Sequence, residues 1–173
     1  MRRKYFIFSF VLFTVSLFLL PTLYGNRKQE ATVVRVIDGE TLQVLYYGKE
    51  EILRLIGVDT PEIYPNKEAR REAKKTKQDV RSIMIQGKLA IKFVKKLVRE
   101  NDPVTIEFDA QRRDEHRKLL GYVYLQDGTM LNEIIIREGY GRPRIEKPNT
   151  RYQSKFLKAY DEARKAKRGL WKY

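Results

Sequence analysis

Four carboxylates stand where strand-like runs end: Asp38 and Glu40 flank one turn, and Asp59 and Glu62 close another run in Val58-Asp59-Thr60-Pro61-Glu62. Carboxylates with neither imidazole nor thiolate beside them are hard oxygen donors that favour calcium or magnesium. A loop-borne, irregular site tolerates calcium's flexible coordination better than magnesium's strict octahedron. Singly, Asp38-Gly39 is an ordinary hairpin turn and Asp59-Thr60-Pro61 an ordinary turn or cap. Together, inside a basic chain, they gain a chemical reading. Arg54 lies in the apolar run Leu53-Arg54-Leu55-Ile56, where an unpaired guanidinium facing the core would be costly. It needs an anion, either Asp38 or Glu40 as a structural pair or a phosphate gripped through its two-pronged fork.

Strand periodicity positions these residues. Thr32 to Ile37, Thr41 to Tyr47 and Ile52 to Val58 are β-branched and aromatic-rich, and Asp38-Gly39 and Tyr47-Gly48 separate them as turns. They predict a three-stranded meander, which brings the two acidic ends together. Val104 to Phe108 and Leu120 to Leu125 add two strands after a helical region, and five short strands with an intervening helix suit a Greek-key barrel of the OB type. Leu89, Phe93 and Leu97 with Ala90, Val94 and Val98 form one helical stripe. A second helix is expected from Leu131 to Glu138, and a third carries Tyr152, Phe156, Tyr160 and Ala163 on one face. The predicted class is therefore mainly β with helices, α+β, with about three helices packed on the barrel.

The chain holds 36 Lys and Arg against 22 Asp and Glu, a net charge of +14 that would draw polyanions such as nucleic acid or anionic lipid surfaces. With no cysteine, disulfides, thiolate metal sites and a cysteine nucleophile are excluded. The lone His116 makes a zinc site or a Ser-His-Asp triad hard to assemble. Residues 1–25 place Arg2, Arg3 and Lys4 before a charge-free apolar stretch, the pattern of an export signal. No clean small-x-small site precedes Asn26, and residues 5–25 are long enough to cross a bilayer once, so a cleaved signal peptide and a retained membrane anchor both stay open. The expected destinations are secreted, periplasmic or membrane-anchored. Residues 26–30 read as a short linker and 31–173 as one domain, taken as monomeric. Within it, residues 65–86 form a highly charged insert in which Arg70 and Lys74 repel, a strain that an anionic partner would relieve.

Order and spacing then match a known pattern. Ile37-Asp38-Gly39-Glu40-Thr41-Leu42, Arg54-Leu55-Ile56-Gly57-Val58-Asp59-Thr60-Pro61-Glu62, Asp114 through Leu120-Gly121-Tyr122-Val123, and Gly169-Leu170-Trp171 resemble the staphylococcal-nuclease-like (thermonuclease) family from Ala31 to Trp171. The resemblance implies an OB-type barrel and calcium-dependent endonucleolytic cleavage of DNA and RNA that leaves 3′-phosphate ends. By position it makes Glu40 and Asp59 the Ca2+ carboxylates, with the Thr60 carbonyl as a further ligand and Asp38 close by. Glu62 would position or deprotonate the attacking water. Arg54 and Lys118 would hold the phosphate and stabilise its transition state. The family usually has Asp at the position of Glu40 and Arg at that of Lys118, with Arg113 and Arg117 near enough to substitute through a loop shift. Where the family offers tyrosines to a nucleotide, this chain has Arg142 and Arg144. The same residues allow an alternative, an exported nucleic-acid-binding domain of OB type with a degenerate nuclease site.

Overall fold

The computed structural model describes residues 28–172, so the expected signal or anchor lies outside the described residues. Among the described residues no helix is long and apolar enough to cross a membrane. Strands β1 (Gln29–Val36), β2 (Thr41–Tyr46) and β3 (Lys49–Leu55) form the expected meander. Tyr46 pairs with Lys49 across Tyr47-Gly48, and both turn residues have positive φ, 48° and 73°. That is the requirement of a two-residue type I′ hairpin, whose twist matches that of the strands it joins.

A very short β4 (Val58–Asp59) is followed by α1 (Lys67–Thr76) and α2 (Val80–Leu97), then β5 (Pro103–Glu107) and β6 (Leu119–Tyr124). β5 pairs antiparallel with both β1 and β6, and β6 runs parallel to β3, which closes a five-stranded barrel in the order β1-β2-β3-β6-β5. Its interior is filled by Val33, Leu42, Val44, Leu53, Leu55, Ile106 and Val123, all with almost no solvent exposure. Closure removes the open sheet edges that would invite pairing with another chain.

α3 (Leu131–Arg137) and α4 (Gln153–Lys165) pack on each other beside the barrel, and a second short strand, β7 (Arg142–Pro143), pairs with β4. Among the described residues four α-helices are present where about three were expected. The additional one, α1, falls inside the charged segment, whose apolar stripe is only Ala69 and Ala73 packed on Ile83 of α2. Two alanines among so many charges leave a helical signal too faint for apolar periodicity alone. Buried Asn132 ties the barrel mouth together, accepting from the Val123 N–H at 2.8 Å and donating to the Ile56 carbonyl at 2.9 Å.

Candidate active site

The β1–β2 turn and the end of β3 converge as the meander requires. Asp38 accepts the Glu40 N–H at 2.9 Å in an Asx turn, which directs the Glu40 side chain inward. Glu40 is buried, its Oε1 lying 2.7 Å from Arg54 Nη2 and its Oε2 accepting the Thr60 N–H at 2.5 Å. Gly39 permits this closeness, since a Cβ there would sit 2.7 Å from the Thr60 hydroxyl. Asp38, Glu40, Thr60 and Glu62 line one small pocket of about 130 Å³. Asp59, on β4, is half-exposed and pairs through Oδ1 with Arg144 Nη1 at 3.3 Å.

On the other side of Arg54 opens a larger cleft of about 600 Å³, lined among others by Arg54, Asp114, His116, Lys118 and Arg144. Asp114 builds the loop that presents Lys118: its Oδ1 accepts the N–H of His116 at 3.0 Å and of Lys118 at 2.8 Å, while Arg117 takes a positive φ of 66°. Asn149 braces the same wall, accepting from the Gln111 N–H and donating to the Gln111 carbonyl. Arg54 therefore stands between an acidic pocket and a cleft of mixed charge, where Arg54, Lys118, Arg144 and Lys147 face Asp114, Glu115 and Glu146.

The Arg54–Glu40 contact is close, yet the Arg54 Nη2 atom is buried without a directed hydrogen-bond acceptor. The two observations agree if the charges touch while the N–H bonds point past the carboxylate. Such a pair is weaker than its distance alone suggests. Burial accordingly outweighs the Arg54 charge and the Thr60 hydrogen bond, and with Asp59 and Asp38 adding negative charge it pushes the Glu40 carboxyl up to about 7.

A raised carboxyl keeps its proton in the fold while the unfolded chain releases it, so its stabilisation is full below pH 4.5 and is lost as pH rises through about 7. In chelated solution, the stability of the wild type relative to Glu40→Gln should fall by about 3 kcal/mol between pH 4.5 and 8. Urea unfolding of both proteins across that range checks this. A pH-independent difference overturns it.

The donor set suits a hard divalent cation, being all oxygen, with a buried carboxylate pressed by two others. Among the described residues, however, no three acidic or imidazole side chains stand at metal-holding spacing. Each carboxylate is instead satisfied from within: Glu40 by Arg54 and Thr60, Asp38 by the Glu40 N–H, and Asp59 by Arg144.

The basic residues divide. Lys118 and Arg144 face the cleft. Arg113 is held by Glu51 through contacts of 2.8 and 3.1 Å and donates to the Arg117 carbonyl. Arg142 pairs with Glu72 at 3.0 Å and lies over the Trp171 ring. Arg113, Arg117 and Arg142 do not line the cleft, whereas Arg144 lines it while pairing with Asp59 and, at 2.7 Å, with Glu146. Two further residues, Asn66 and Glu72, stand beside the acidic carboxylates. Asn66 donates to Glu62 at 2.8 Å, and the Glu72 carboxyl is raised by burial, opposed by Arg142, with Asp59 and Glu62 adding to the rise. The Asn66–Ala69 capping spacing was the available signal for the first.

Comparison with known proteins adds an independent line. The family model described as staphylococcal nuclease homologue matches residues 52–173. The chain is 36% identical over 150 residues to a thermonuclease of Staphylococcus hyicus, covering 86% of this chain and 79% of that protein. It is 35% identical to the endonuclease YncB of Bacillus subtilis (strain 168), covering 84% of this chain and 64% of that protein. It is 34% identical to a thermonuclease of Staphylococcus intermedius, with 84% and 77% covered.

Proposed function

Because the chain belongs to the staphylococcal nuclease family, we propose that it is a nuclease, a calcium-dependent endonuclease that hydrolyses phosphodiester bonds of DNA and RNA. The observation that carries this reading is Arg54, which pairs with Glu40 of the acidic pocket on one side and lines the cleft shared with Lys118 on the other. A guanidinium so placed is suited to take up phosphate oxygens from the cleft side, for which its fork geometry is matched.

In this reading Glu40, Asp59 and the Thr60 carbonyl would hold Ca2+, with Asp38 beside them. When bound, the ion supplies electrostatic polarisation of a phosphate oxygen. Glu62 orients the attacking water and accepts its proton. Arg54 and Lys118 oppose the negative charge that gathers on the phosphate as the water attacks in line with the leaving oxygen. Arg144, with Arg113 and Arg117 on the adjoining loop, supplies positive field for the approaching strand. Residues 1–25 export the domain, as a cleaved signal or as an anchor through residues 5–25.

One observation favours a second reading, a nucleic-acid-binding domain that does not cleave: both Glu40 oxygens are already engaged, by Arg54 and by the Thr60 N–H. A single experiment separates the two. The soluble domain from Asn26 onward is incubated with single-stranded DNA, duplex DNA and RNA, with calcium and with excess chelator. Cleavage with calcium that disappears on chelation is the expected result. Undiminished cleavage in chelator removes the metal assignment, and salt-sensitive binding without cleavage in either condition supports the second reading.

A further inference from the structure

We propose that Asn66 is a positioning residue that holds the Glu62 carboxylate in its working orientation, an inference that rests on the assignment of Glu62 as the base. Asn66 is the N-cap of α1, with an extended backbone and an Oδ1 that accepts the Ala69 N–H at 2.8 Å. Its Nδ2 donates to Glu62 Oε2, also at 2.8 Å. The two contacts fix which way the amide faces, since a flip would turn an oxygen toward the carboxylate and an N–H₂ toward a backbone donor. Asn, Asp and Ser are about equally good caps, but Asp has no donor to give Glu62 and the Ser hydroxyl is too short to cap and reach a second group. Asparagine therefore meets both demands.

The surroundings make this contact a brace. α1 is fastened to α2 by Ala69 and Ala73 against Ile83, and its Glu72 pairs with Arg142, the register partner of Asp59 in the β4–β7 ladder. From the other side, Gly87 of α2 lies so near the backbone of Pro61 and Glu62 that a Cβ there would approach their carbonyl oxygens to 2.4 and 2.6 Å. Thus α2 seats the backbone of Glu62, and α1 aims its carboxylate through Asn66. A carboxylate on a surface loop otherwise has free χ angles, and a displacement of about 1 Å at a reacting group can cost on the order of 10²-fold in rate.

The test compares Asn66→Asp, Asn66→Ser and Asn66→Ala, each alone and combined with Glu62→Gln, by kcat, KM and Tm. Asp and Ser keep the cap and should hold Tm within about 3 °C while kcat falls about tenfold or more and KM stays within about twofold. Ala should lose kcat and also several degrees of Tm, since it removes the cap as well. In the Glu62→Gln background no further loss of kcat is expected, because Asn66 acts through that carboxylate. Full kcat in the Asp and Ser variants, or the same fractional loss in both backgrounds, overturns the proposal. The side-chain amide of Asn66, followed by ¹⁵N NMR, should shift on Glu62→Gln whether or not the protein cleaves, and an unmoved amide overturns the contact itself. A Glu62→Gln enzyme with wild-type turnover, by contrast, brings down the base assignment, and the positioning role falls with it.

Discussion

Glu62→Gln should lower kcat on the order of 10²-fold or more while leaving substrate affinity near its wild-type value. The substitution keeps the size of the side chain and an oxygen able to accept from Asn66 Nδ2, so the brace from α1 survives. What disappears is basicity, which matters only as the attacking water gives up its proton. An interaction made only in the transition state affects kcat and kcat/KM equally. In the proposed reading binding falls chiefly to the cleft lined by Lys118 and Arg144, which does not include Glu62. Single-turnover cleavage and filter binding on one oligonucleotide check both halves. Near-wild-type turnover would move the proton to another group, and a parallel loss of affinity would mean that Glu62 organises the site rather than reacting in it.

Arg54→Lys should reduce kcat by about 10²-fold to 10³-fold, the scale seen when one donor to a developing oxyanion is removed. Lysine keeps the charge beside Glu40 and so much of the pair's electrostatic energy, but it replaces a planar fork by a point charge. Stability should fall only modestly. Arg54→Met removes the charge too and leaves Glu40 buried with the Thr60 N–H as its remaining partner. Breaking a buried pair in this way costs about 3–5 kcal/mol. Because the Glu40 carboxyl titrates near 7, that cost should be greatest above this pH and shrink below it, where the carboxyl is neutral. Unfolding at pH 5.5 and pH 8 with kcat for both variants makes the comparison. A lysine enzyme with full turnover would show that charge alone suffices at this position, and a methionine penalty independent of pH would remove the Glu40 pair as its source.

Much of the fold was legible because local chemistry and global topology agree. Tyr47-Gly48 demanded a tight hairpin, the β-branched runs demanded strands, and the stripe through Leu89, Phe93 and Leu97 demanded a helix. Boundaries shifted by a few residues: β1 begins at Gln29 because its first residues pair with β5, a partner far away in the chain. The expected run from Ile52 to Val58 breaks after Leu55, and β4 and β7 were not legible as separate strands, as neither has enough sequence to show a period and each exists through the other.

The site divides along the same line. By itself the sequence determined the chemistry available: oxygen ligands without thiolate, one imidazole, a guanidinium stranded in an apolar strand, and a strong positive charge. Residue identity is sufficient for such conclusions, because ligand hardness, the cost of a buried charge and the pull on polyanions depend on composition and short spacing. The sequence also limited the partners of Arg54 to Asp38, Glu40 or a phosphate. Only the tertiary structure decided that Glu40 is the carboxylate it meets, that Arg113 and Arg142 have acidic partners of their own in Glu51 and Glu72, and that Asn66 reaches Glu62. Those outcomes depend on which side chain arrives within about 3 Å of which other, the range of a hydrogen bond. Barrel closure and helix docking set that arrival, since they bring together residues as distant in the chain as Glu72 and Arg142.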